Sequence, residues 1–111
     1  MIIGIADVFA QIPQRGAVER AMLAAQALAQ QQAGCVSFLV TEVLGDPGHF
    51  LVVERWLDQR SLAAHYRSES FAAYQAAVAP LLVRDSVLEL HVVGEALRPL
   101  KPSGLDIDQD D

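Results

Sequence analysis

Several residue types that mark a particular chemistry are scarce or missing in this chain. It has one cysteine, Cys35, among 111 residues. A single thiol excludes an internal disulfide framework and fits a reducing compartment. One Cys and three scattered histidines (His49, His65 and His91) also lack the spacing of a metal-ligand set. Basic residues number 8 against 14 acidic ones, a formal net charge of −6. Nucleic-acid binding needs clustered Lys and Arg to neutralise phosphates, so no nucleic-acid partner is expected. The best candidate for a membrane-spanning run is interrupted by Gln26 and by Gln30 to Gln32. The opening Met-Ile-Ile-Gly-Ile-Ala-Asp has no basic stretch and meets Asp7 early, unlike a secretory signal. There is no Gly-rich phosphate loop and no nucleophile elbow. A soluble cytoplasmic protein with no membrane partner, no metal and no cofactor is the expectation.

Apolar residues are what the chain has in excess. They make up 52% of it, and the mean hydropathy is +0.26. A chain this short forms one domain with a large surface relative to its volume. Some of its apolar residues must therefore lie outside a monomer's core, which marks a partner interface or a pocket. Self-association is expected before any motif is read.

The pattern along the chain gives six main elements. Ile2 to Gln11 is an apolar run bounded by Pro13 and reads as a strand. Arg15 to Gln32 is rich in Ala, Leu, Met, Glu and Gln and reads as a helix. Ala17, Ala21, Ala24, Ala25 and Leu28 supply its apolar face, and Gly34 ends it. Cys35 to Leu44 is a strand in which Val36, Phe38 and Val40 alternate with Ser37, Leu39 and Thr41. Gly45-Asp46-Pro47-Gly48 is a turn, and Phe50 to Trp56 completes a hairpin. Asp58 and Ser68 are candidate N-caps for two short helices, the second presenting Phe71, Tyr74 and Val78 until Pro80 ends or bends it. Ser86 to Val93 is a last strand.

This order predicts an α+β fold of the ferredoxin-like split βαβ type (βαββαβ, the second helix broken in two) over residues 1–94. Its four-stranded antiparallel sheet carries helices on one face. The other face is apolar and uncovered, and packing it against a second copy gives a barrel-like homodimer. Residues 95–111 form an acidic, low-complexity tail, expected to be mobile and removable.

Several motifs together resemble the antibiotic biosynthesis monooxygenase family. They are Gly34-Cys35-Val36-Ser37-Phe38, Val53-Glu54-Arg55-Trp56, Leu62-Ala63-Ala64-His65, Ser68-Glu69-Ser70-Phe71 and Ala79-Pro80-Leu81-Leu82. They fall in order over residues 1–93. The resemblance implies a dimeric α+β barrel with a pocket between sheet and helices. It does not name one reaction: the family holds cofactor-free oxygenases of quinols and polyketide aromatics, a haem-degrading branch and members without assigned activity.

The resemblance also implies site residues. Trp56, the only tryptophan, is expected to line the cavity and stack on a flat substrate, against the bland alternative of a core aromatic. His65 is expected to face the pocket, where a near-neutral imidazole is the natural base for a phenol or quinol proton. Asp7 is the odd residue among Ile3, Ile5 and Phe9, since a buried unpaired carboxylate costs several kcal/mol. It must reach solvent, find a partner or orient the chemistry. In the haem-degrading branch an Asn takes what resembles this position, so Asp7 counts against haem. Phe9, Phe71, Tyr66 and Tyr74 are packing or substrate-contacting candidates. His49 reads as a solvated turn residue, His91 as a solvent or interface residue, Glu54 as half of a salt bridge and Cys35 as a small buried residue. The expected function is a cofactor-independent monooxygenase of a small aromatic, quinol or polyketide-like substrate. A non-catalytic ligand-binding dimer and a haem-degrading enzyme are the alternatives.

Overall fold

Four strands and three helices follow the expected order in a computed structural model that describes residues 1–94. They are β1 (Ile2–Phe9), α1 (Arg15–Ala29), β2 (Cys35–Glu42), β3 (His49–Trp56), α2 (Gln59–Tyr66), α3 (Glu69–Val78) and β4 (Val87–Val92). The expected tail at 95–111 lies outside the described residues. The strands form one antiparallel sheet in the order β2-β3-β1-β4. This is the α+β ferredoxin-like architecture.

Local chemistry sets the element boundaries. The Asp58 carboxylate accepts from Ser61 N at 2.8 Å and caps α2. Ser68 Oγ accepts from Phe71 N at 3.2 Å and caps α3. Pro80 falls in a 3-10 turn over Ala79–Leu81 that ends the helical segment. Gly34 has φ +81°, and a Cβ there would lie 2.0 Å from Ser61 Oγ. Only glycine lets the start of β2 pass so close to α2.

Pairing puts one parity of each strand toward the helices. Ile2, Val8, Phe50, Val52 and Trp56 are buried on that inner face. Two expected faces shift. In α1 the buried residues are Val18, Met22 and Ala29, and Leu28 is 52% exposed, so the packed stripe is rotated from the expected one. Small alanines fit either face, and the larger Val18 and Met22 decide which is buried. A bulge between Cys35 and Ser37 turns Val36 out of register with Phe38 and leaves it half-exposed.

The outer face carries Ile3, Ile5, Phe9, Leu51 and Val53, each half-buried with no helix over it. Strand β4 is exposed along its whole length. No helix among the described residues is long and apolar enough to cross a membrane.

Candidate active site

A half-enclosed cavity of about 640 Å³ lies between the inner face of the sheet and the helices. That is the size of a small-molecule site. The sheet contributes Ala6, Val8, Phe38, Val40, Val52, Glu54 and Leu88; α1 contributes Met22 and Ala25. His65, Tyr66, Phe71 and Tyr74 close it from α2 and α3, and Arg84 to Ser86 border it before β4.

His65 is buried at 5% exposure in a nest of rings. Trp56 stacks on it at 4.8 Å, and Phe38, Tyr66 and Phe71 surround it with centroids at 5.5, 4.9 and 5.2 Å. Burial among apolar groups disfavours the imidazolium and brings its pKa down to about 4. The neutral ring has one N–H. Its Nδ1 lies 2.7 Å from Gln32 Oε1, an acceptor, so Nδ1 carries the proton. Nε2 is then a lone-pair acceptor with no protein partner among the described residues, on a side chain that lines the cavity.

Glu54 sits on the same floor at 2% exposure. Its Oε1 accepts from Trp56 Nε1 at 3.0 Å and from Tyr66 Oη at 2.9 Å. Burial pushes its pKa up, while the bonds from Tyr66 and Trp56 act in the opposite sense. The salt bridge expected for Glu54 is not found: no cation pairs with it among the described residues. Tyr74 is pushed up to about 12 by burial, and Tyr66 is raised by burial and then by Glu54. Both phenols stay protonated.

Of the residues expected at the site, His65, Tyr66, Phe71 and Tyr74 are brought together at the cavity. Three stand elsewhere. Trp56 is wholly buried, one layer behind His65, so it is not an exposed stacking wall. Asp7 and Phe9 have the opposite strand parity to Ala6 and Val8 and lie on the outer face. Asp7 Oδ1 meets His49 Nε2 at 2.7 Å, and Asp46 Oδ2 meets His49 Nδ1 at 2.9 Å. Phe9 stacks on His49 at 4.5 Å, with the Arg84 guanidinium 3.7 Å above the Phe9 ring. His49 is therefore a partly buried, doubly bonded residue of β3, not a solvated turn residue. Asp7 has found its partner away from the cavity, so the case against haem that rested on its charge does not hold. His91 lies at the exposed outer surface beside Glu89, and Cys35 is half-buried.

Glu54 and Gln32 are the functional candidates that sequence reasoning missed. Glu54 had a signal: it shares strand parity with Trp56 and faces Gly4 across the β1–β3 pair. Gln32 had none, because it lies in the irregular turn after α1.

A family model described as antibiotic biosynthesis monooxygenase matches residues 1–77. The chain belongs to the antibiotic biosynthesis monooxygenase family. Solved structures agree at the level of fold. A candidate antibiotic biosynthesis monooxygenase of Deinococcus radiodurans superposes with a TM-score of 0.86 at 24% identity, covering 91% of this chain and 100% of that one. A Mycobacterium tuberculosis protein gives 0.80 at 23%, covering 86% and 96%. A Pseudomonas aeruginosa protein gives 0.78 at 23%, covering 85% and 94%. No curated protein matches the sequence. The family places this chain among monooxygenase-type domains and leaves its substrate open.

Proposed function

We propose that this member of the family is a cofactor-independent monooxygenase of a small phenol- or quinol-like aromatic, bound in the cavity between sheet and helices. The observation that carries the reading is His65: a neutral imidazole, held through Nδ1–H by Gln32, whose lone pair on Nε2 is left to a ligand. Triplet oxygen reacts slowly with a neutral closed-shell ring. A deprotonated quinol or anthrone gives up one electron to oxygen, and the radical pair recombines. Recombination gives a hydroperoxide on the ring carbon. Loss of that carbon's proton breaks the O–O bond, leaving one oxygen as a carbonyl and releasing the other as water, with the substrate supplying the electrons. The protein's part is to take the proton, stabilise the anion and exclude bulk water. A base with a pKa of about 4 is weak in the empty cavity. A developing phenolate beside it favours the imidazolium and raises its basicity when it is needed.

The weak basicity of the empty site favours a second reading, a binding domain without chemistry. Oxygen uptake on a panel of hydroxyquinols and anthrones separates the two. Uptake of one O₂ per ring oxidised, undiminished by chelators and without added flavin or nicotinamide, supports the monooxygenase. Binding without uptake supports the ligand-binding domain.

The outer sheet face supports assembly as a homodimer. Its half-buried Ile3, Ile5, Phe9, Leu51 and Val53, interleaved with Asp7, His49 and Arg55, leave apolar surface uncovered on the face opposite the helices. A stable self-association needs roughly 1,000 Å² or more of buried surface.

A further inference from the structure

We propose that Glu54 sets the ligand preference of the cavity: its free Oε2 accepts a hydrogen bond from a ring hydroxyl and turns away anionic aromatics such as carboxylates. The inference rests on the aromatic-pocket reading above and goes further by assigning the polar end of that pocket.

Glu54 lines the cavity, yet among the described residues it has no cation partner and only one of its oxygens is engaged. Trp56 Nε1 and Tyr66 Oη both donate to Oε1. A carboxylate has two oxygens and room for about four donors. Oε2 has no partner among the described residues, and no buried side-chain oxygen or nitrogen among them is sealed away unbonded. Oε2 therefore meets the open space of the cavity. An ionised carboxylate only accepts, so it rewards a ligand that donates and opposes one that brings a second negative charge.

The neighbouring backbone is built around this group. Gly4 faces Glu54 across the β1–β3 pair. A Cβ on Gly4 would lie 2.9 Å from Glu54 Cγ and 3.2 Å from Cδ. Glycine in the middle of a strand weakens it, and here its bare face makes room for the carboxylate. Glu54 and His65 are tied to the same scaffold, since Trp56 bonds Glu54 and stacks on His65, and Tyr66 bonds Glu54 and follows His65 in α2. A hydroxylated ring in the cavity thus meets two acceptors, Glu54 Oε2 and His65 Nε2, while Arg84, the cation on the lining among the described residues, borders the cavity beside Asp85 with its guanidinium over the Phe9 ring.

The test is calorimetric titration of the full chain at pH 7.5 with 2-naphthol and with 2-naphthoate, two rings of similar shape. Trp56 is the only tryptophan, so its single indole N–H resonance reports whether binding occurs at this site. The wild type is expected to bind 2-naphthol at least tenfold tighter than 2-naphthoate. In Glu54→Gln the amide oxygen stays with Trp56 and Tyr66, and the NH₂ takes the place of Oε2. The preference should then invert, with 2-naphthoate gaining affinity, a gain that misfolding cannot produce. Gly4→Ala, which displaces the carboxylate, should narrow the preference from the other side. The inference is overturned if the wild type favours 2-naphthoate or does not discriminate, or if Glu54→Gln keeps the wild-type order. If neither ligand moves the Trp56 indole resonance, the aromatic pocket falls with it. If binding and its preference hold but no oxygen is consumed, only the monooxygenase reading fails.

Discussion

Acidification should loosen this protein through His65 before most carboxylates titrate. The unfolded imidazole has a reference pKa of about 6.5, and burial in the native ring nest brings it to about 4. Between those values the unfolded chain binds a proton that the native chain refuses, so stability rises with pH across this window and falls as pH drops through it. At about 1.4 kcal/mol per pH unit, the full difference is about 3 kcal/mol, a large share of the ~5–15 kcal/mol available to a small domain. Glu54 slopes the opposite way, because its raised pKa makes the native state the better proton binder above the ordinary carboxylate range. Comparing wild type with His65→Gln cancels that contribution. Urea unfolding at pH 7 and at pH 4.5 should show most of the ~3 kcal/mol loss in wild type and little of it in the variant. An NMR titration of the His65 ring should give a midpoint well below those of exposed histidines. A His65 midpoint near 6.5 would refute the reasoning, since it would mean that the ring is solvated and Nε2 is protonated half the time near neutrality.

Other expectations follow from single contacts. Trp56→Ala empties a fully buried site and should cost roughly 3–5 kcal/mol in chemical denaturation, more than a substrate-stacking residue at the surface would. His49 is held by Asp7 first and also by Asp46, which raise its pKa. Its contribution is complete below about pH 6.5 and is lost as pH rises through the folded value, so the melting temperature of wild type should approach that of His49→Asn in alkali. A constant difference between the two from pH 6 to 9 would contradict this. Ile5→Glu, in the middle of the outer face, should shift light scattering at micromolar concentration from dimer mass to monomer mass, and a wild type already monomeric would remove the proposed interface.

The fold was legible because its signals agreed. Alternation, two N-caps and two glycine turns all pointed to the same four strands and three helices, and the family motifs fell on them in order. The helix face of α1 was misread because alanines dominate it and fit inside or outside equally well. The site was only partly legible. His65, Tyr66, Phe71 and Tyr74 follow from their places on two capped helices. Asp7 and Phe9 were misplaced because strand parity fixes two faces without saying which one holds the cavity. Trp56 has the right parity, but depth along the strand puts it behind His65. Glu54 was read as an ion-pair residue because a carboxylate on a central strand normally needs a cation. Here two neutral donors from Trp56 and Tyr66 take that place, a pairing between β3 and α2 that no local pattern reveals.

The role of His65 as the base is tested most directly by turnover. On a quinol or anthrone substrate that the wild type oxidises, oxygen consumption by His65→Ala should fall by roughly a hundredfold or more in kcat. The variant should still bind the substrate, with the Trp56 indole resonance still shifted on titration. Unchanged oxygen consumption in His65→Ala on that same substrate would contradict the assignment, because proton removal would then be proceeding without the only imidazole among the described residues that lines the cavity.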